Sequence, residues 1–280
     1  MKEYQYESFY GERALFNSRG LKIINSTFSD GESPLKESED IWLLDSIFKW
    51  KYPMWYCENI FCQNVTLLET ARSGIWYTRN IEIIDSVIEA PKTFRRAEGI
   101  KLKKVSMPNA LETLWNCKNV EMTNVTAKGD YFAMNTVDIK VDNLVLHGNY
   151  GFDGGKNIEV YNSKLISKDC FWNCENVYVK DSLIMGEYLG WNSKNVTFEN
   201  CTIESLQGLC YMDNVKLINC TLMNTNLAFE FSTVDAEVVS NIISVTNPIS
   251  GVIKARKIDD IILDPSLVNP KKTKIIVGGR

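Results

Sequence analysis

The chain has 280 residues, 45% apolar and 24% charged, which suits a globular protein able to bury a large core. Its net charge of −4, with Lys and Arg spread along the sequence, forms no basic stripe and argues against a nucleic-acid partner. No apolar run reaches the roughly 18 residues of a membrane span, and a lone His147 argues against a His-based metal site or a Ser/His triad.

Residues 1–14 contain neither an apolar signal core nor a cleavage pattern, so the expected location is the cytoplasm. The segment reads as a cap on whatever follows. From residue 15 one phrase keeps returning. MWYCENIFCQNVTL starts at Met54, IWYTRNIEIIDSVI at Ile75, LWNCKNVEMTNVTA at Leu114, FWNCENVYVKDSLI at Phe171 and GWNSKNVTFENCTI at Gly190. The first β-type apolar residue of each unit defines position zero. These anchors are Leu21, Ile41, Ile60, Ile81, Ile100, Val120, Ile139, Ile158, Val177, Val196, Val215 and Ala236, spaced by 19–21 residues. A period this regular predicts a solenoid.

Within a unit, positions 0 and +2 are apolar and +1 and +3 mostly polar, the alternation of a strand. Positions −1 and +4 are rich in Asn and Asp, residues that tolerate left-handed backbone at corners. Two corners and three short strands per coil predict an all-β chain folded as a parallel β-helix. A leucine-rich repeat would need a longer unit with a helical side. The expected layout is one domain over 1–280, with about twelve coils over 15–243. An irregular C-terminal cap over 244–280 holds short β runs at 260–263 and 274–277.

The phrases KGDYFAMN (128–135), FWNCENV (171–177), GEYLGWNSKN (186–195) and ESLQGLCY (204–211) carry a closer resemblance. With them, the chain resembles a bacterial and fungal family known only as a domain of unknown function. That resemblance implies a right-handed single-stranded β-helix of the pectin-lyase-like superfamily over essentially the whole length. It implies no activity. The lyases and hydrolases of the superfamily act on polysaccharides, and their catalytic motifs do not map onto this sequence.

Several columns have a purely structural reading. Position −3 is small, and its Cys57, Cys117 and Cys174 read as buried, unreactive thiols. The eight cysteines show no CxxC spacing, so neither disulfides nor a metal or cofactor is expected. Glu82, Lys101, Glu121, Lys140 and Glu159 alternate at position +1 and read as a charge ladder across one sheet.

Position −5 has no such simple reading. It holds Trp55, Trp76, Trp115, Trp172 and Trp191, together with Lys36, Arg95 and Asp153. Burying those charges unpaired would be costly. The column is therefore expected to face outward after a bend near −4, with the apolar −6 column in the core. Arg96 follows Arg95, and Glu112, Asp130, Asp169 and Glu187 sit just upstream of the column. Aromatic rings beside carboxylates and amides suit sugar rings and their hydroxyls. Asp130, Asp153, Asp169 and Glu187 are the candidate acid/base groups, since glycoside hydrolysis generally uses two carboxylates. Trp55, Trp76, Arg95, Arg96, Glu112, Trp115, Trp172 and Trp191 are the candidate ligand contacts. The expected partner is an oligosaccharide. The alternative is a non-enzymatic structural or interaction module whose aromatic stripe packs on a second copy or another protein.

Overall fold

The computed structural model describes residues 1–278. Among the described residues its strands build a parallel β-solenoid of about 15 turns, joined by turns and bends and by two short 3-10 turns at Glu69–Ala71 and Pro270–Lys272. The chain divides into two compact units, Met1–Val145 and the part from Leu146 onward.

In the first unit, Arg19–Ile24, Glu39–Leu44, Glu58–Gln63, Arg79–Ile88, Glu98–Met107 and Lys118–Lys128 stack in register. Leu21 pairs with Ile41, then Ile60, Ile81, Ile100 and Val120. Positions 0 and +2 point inward, so Ile23, Leu43, Cys62, Ile83 and Leu102 are buried. At +7, Phe28 and Phe48 stack at 4.4 Å and 3°. Each buried Phe contributes roughly 1.5–3 kcal/mol through removal from water.

Left-handed corners turn each coil at +4, −1 and −4, and again at −8, where Ser73 has φ of 53°. Asp45, Asn59 and Tyr56 exemplify the +4, −1 and −4 positions, with φ of 50°, 56° and 57°. Asn and Asp favour this backbone because their short side chains hydrogen-bond locally. Their amides also bond from coil to coil. Asn64 donates to Asp45 at 2.7 Å and Asn59 to Asp40 at 3.0 Å. At −3 a buried hydroxyl or thiol fills the bend. The Thr78 hydroxyl donates to the Met54 carbonyl at 2.7 Å and accepts the Cys57 N–H at 3.2 Å. This gives the small −3 column its physical reason.

The second unit repeats the design. Ile158 pairs with Val177, then Val196, Val215 and Val234. The last anchor is therefore Val234 and not Ala236, which pairs with Leu217. The spacing of nineteen holds one coil further than expected.

Regular pairing also extends past both ends of the twelve-coil span. Lys2–Gln5 pairs with Arg19–Ile24, and Ser8–Phe9 with Thr27–Phe28, so the stack starts at residue 2. Ser250–Ile262 pairs with Thr233–Thr246, and Thr273–Val277 pairs with Ser250–Ile262. The charge ladder is mainly elsewhere than expected. Of the +1 row, Lys101 and Glu121 approach to 3.8 Å. More pairs form at −2, with Arg79–Glu58 at 2.8 Å, Arg19–Glu39 at 3.5 Å and Lys156–Glu175 at 3.0 Å. All are exposed pairs, each contributing about 0.2–1 kcal/mol at most. Among the described residues no helix is long and apolar enough to cross a membrane.

Candidate functional site

The −4 corner sets which way the Trp column faces. Left-handed backbone at Tyr56, Tyr77, Asn116, Asn173 and Asn192 reverses the alternation. It turns −5 outward while −3 and −6 stay inside. Met54, Ile75, Phe94, Leu114 and Phe171 of the −6 column are fully buried. The five Trp of the −5 column are half-buried.

In the first unit these rings serve each other. Tyr52 lies 4.7 Å from Trp55, and Trp55 stacks on Trp76 at 5.0 Å and 5°. The Arg95 guanidinium lies 4.8 Å from the Trp76 ring and 4.7 Å from the Trp115 ring. Trp76 is thus covered on both faces. The indole N–H groups are also used. Trp55 donates to the Ser73 carbonyl at 2.5 Å, Trp76 to Lys92 at 2.8 Å and Trp115 to Tyr131 at 2.6 Å. Each acceptor belongs to a residue with left-handed backbone in the next coil. The indole therefore clamps the adjoining corner. Glu112 accepts from Arg95 at 3.5 Å and pairs with Lys92 at 3.1 Å, which fixes the cation between the rings. Arg96 lies 5.9 Å from the Tyr77 ring. Asp130 is half-buried in this unit.

The second unit arranges the same columns differently. Asp153 replaces Trp at −5 and accepts from Asn173 at 3.1 Å. Asn173 in turn accepts from Asn192 at 2.8 Å. Asp169 is only 4% exposed. Burial pushes its carboxyl above the ordinary range, helped by the charges of Glu187 and Asp153 and opposed by Lys168 and the Tyr150 hydroxyl bond. Glu187 pairs with Lys168 at 3.3 Å. Trp172 stacks on Tyr150 at 6.0 Å and 18°. Trp191 donates to the Gln207 carbonyl at 2.6 Å and leans on Tyr211 at 4.9 Å. Among the described residues the Trp172 indole N–H makes no such bond.

Of the sequence candidates, the structure therefore gathers Asp153, Asp169, Glu187 and Trp172 into one neighbourhood of the second unit. It gathers Trp55, Trp76, Arg95, Glu112 and Trp115 into a self-stacked column of the first. Asn173 and Tyr150 join the acidic cluster unannounced. Among the described residues no group of three His, Cys, Asp or Glu could hold a metal ion. Sequence reasoning also passed over a groove between the −1 and +1 columns of the first unit. It is lined by Asn59, Phe61, Asn80, Glu82, Gly99 and Lys101 among others. Its signal was Gly99, the one interior break in the Asn/Asp row of position −1.

No curated protein is detectably similar in sequence. Among solved structures, the A-module of the mannuronan C-5 epimerase AlgE4 from Azotobacter vinelandii aligns at 11% identity and a TM-score of 0.34, over 98% of this chain and 86% of that one. PfbA, a surface adhesin of Streptococcus pneumoniae, aligns at 11% identity and a TM-score of 0.37, over 79% of this chain and 70% of that one. HetL, a pentapeptide repeat protein from a Nostoc cyanobacterium, aligns at 10% identity and a TM-score of 0.20, over 90% and 88%. Likeness at this level transfers no function. Residues 2–276 match the family of proteins of unknown function designated DUF3737, and the chain belongs to that family.

Proposed function

We propose that the second unit binds a short oligosaccharide through Asp153, Asp169, Trp172, Asn173 and Glu187. The carrying observation is Trp172, whose indole N–H makes no bond to the next corner among the described residues and which lies in the same column as Asp153, one coil on. Carboxylates and amides around it supply partners for hydroxyls. Burial raises the carboxyl of Asp169 above the ordinary range, and Asp153 and Glu187 stand beside it, which makes Asp169 the candidate proton donor of the three. Turnover of bound sugar would use Asp169 as the donor. Eight buried free cysteines suit a reducing compartment, so this reading includes a cytoplasmic setting.

The test is intrinsic fluorescence titrated with neutral and acidic oligosaccharides, on the native sequence and on Trp172→Phe. A saturable change lost in the variant is expected. A flat response across the panel would remove this reading.

A second reading, a non-enzymatic structural or interaction module, rests on one observation. The first-unit rings cover one another, and Trp76 has no free face for a sugar. Sedimentation across a concentration series separates assembly through the aromatic edges from a role inside one copy.

A further inference from the structure

We infer that the first unit carries a separate ligand site, the groove between its −1 and +1 columns, which takes a neutral oligosaccharide. This inference is independent of the second-unit reading.

The groove runs between Asn59 and Asn80 on one wall and Phe61, Glu82 and Lys101 on the other, with Gly99 at its end. The Asn wall is a ladder. Asn80 donates to Asn59 at 3.2 Å, and Asn59 to Asp40 at 3.0 Å. At Gly99 the ladder stops. Asn119, one coil further on, turns aside and donates to Glu98 at 3.2 Å. Asn80 therefore lacks the donor that the next rung would supply, and its Oδ1 receives no hydrogen bond among the described residues. That oxygen leans into the vacant space. A Cβ on Gly99 would lie 2.7 Å from it. The notch is thus cut by one missing side chain, with an open acceptor pointing at it.

The opposite wall offers complementary chemistry. Lys101 turns to Glu121 at 3.8 Å, and Glu82 holds no ion pair among the described residues. Before Glu82 in the same +1 column come Phe61 and Trp42. Trp42 is 45% exposed and meets Phe61 at 5.1 Å and 47°, a tilt that leaves the indole largely open. This is the opposite of the first-unit −5 column, where the rings are clasped by neighbours. An amide acceptor, a carboxylate and an ammonium in the groove, with the open Trp42 indole adjoining it through Phe61, match the CH faces and hydroxyls of sugar rings. Coils repeat about every 4.8 Å, close to the length of one sugar residue in an extended chain. One ring over Trp42 and Phe61 then places the next rings along Asn80, Glu82 and Lys101. The opposing charges of Glu82 and Lys101 favour a neutral chain over a polyanion.

The equivalent groove of the second unit shows what is special here. It is lined by Asn157, Asn176 and Asn195 opposite Glu159, Tyr178 and Thr197. Its ladder is unbroken, with Asn195 donating to Asn176 at 3.1 Å. The hydroxyl of its aromatic residue is tied to Glu199 at 2.7 Å. It has no notch and no open ring comparable to Trp42.

The experiment uses the full chain labelled with 5-fluorotryptophan. Its seven Trp signals are assigned by single Trp→Phe substitutions. The probes are hexasaccharides of β-1,4-linked glucose, α-1,4-linked glucose and β-1,4-linked N-acetylglucosamine. At least one should shift the Trp42 signal saturably. Gly99→Asn rebuilds the missing rung. Asn adopts φ of 54° at positions 80 and 119 of the same column, and the one close atom, Asn80 Oδ1, is a side-chain end that can rotate away from the new Cβ, so the variant should keep its fold, which its Tm checks. It should weaken the Trp42 response by about tenfold or more, a difference easily read from the titration. Glu82→Ala, at the groove wall, should weaken it in the same direction. No Trp42 shift with any of the three sugars overturns the inference, as does a shift that Gly99→Asn and Glu82→Ala leave intact. The Trp172 signal reports the second-unit site separately, so each site can fail without the other.

Discussion

At Asp169, burial works against the ionised carboxylate, and the charges of Glu187 and Asp153 add to it. The folded chain therefore holds this proton more tightly than the unfolded chain does. As pH rises from the unfolded carboxyl range through the raised folded value, ionisation penalises folding, and the penalty is fully present above it. Asp169→Asn removes the charge while keeping an acceptor for Tyr150. The variant should melt a few degrees higher than the native sequence at pH 7. The gain should vanish below about pH 3.9, the ordinary carboxyl value, where Asp169 is protonated in both states. Calorimetry across pH reads this directly. A gain that persists in acid would assign the effect to packing. The same substitution should weaken sugar binding at the second unit, the usual opposition between site chemistry and stability. Sequence alone placed Asp169 near the Trp column. It did not reveal its burial, because other residues at −8, such as Glu112 and Tyr188, are only half-buried and the repeat does not distinguish Asp169 from them.

At the scale of the coil, five Trp share one column but not one role. Trp115 donates to the Tyr131 carbonyl at 2.6 Å and flanks Arg95. Trp115→Phe keeps an aromatic ring but loses the pyrrole ring with its donor, so it should cost about 1 kcal/mol in urea unfolding. Trp172→Phe removes no such bond and should stay within about 0.5 kcal/mol of the native chain. Equal losses in the two variants would mean that the indole clamp carries no weight. In the core of the first unit, Phe48→Ala should cost about 3–5 kcal/mol, since Phe48 is fully buried and stacked on Phe28. The outward turn of the column was legible in the sequence because Lys36, Arg95 and Asp153 share it. Which ring faces remain open was not legible. A period locates a column, whereas face exposure depends on the tilt of each ring against its neighbours in adjacent coils. The −2 ion pairs were missed for a related reason, since that column lies at the approach to a corner and outside the simple alternation of a strand.

For the chain as a whole, the repeat made the fold readable wherever the spacing stayed near nineteen. It became hard to read where the register changed. Val234 pairs with Gly251 and Gly251 with Thr273, so the final coils depart from the common length and resemble an irregular cap in sequence. Buried sulfur gives a measurement that spans both units. All eight thiols are free and buried, from Cys57 to Cys220. Burial pushes Cys57, Cys117, Cys170, Cys201 and Cys210 up to about 12. The thiolate is the reactive form, and it is scarce at such values near pH 8. Several of these sulfurs also act as donors, as Cys57 does to the Leu35 carbonyl at 3.0 Å and Cys174 to the Phe152 carbonyl at 2.9 Å. A thiol reagent at pH 8 should therefore label none of the eight in the native chain and all eight in guanidinium. Because each coil touches only its neighbours, a solenoid can open locally. Any cysteine labelled early under native conditions would mark the coil that opens first. Labelling of Cys201 and Cys220 ahead of the others would put that opening next to the changed register at Leu217 and Cys220, whereas simultaneous labelling of all eight at the global unfolding rate would show that the stack opens as one cooperative body.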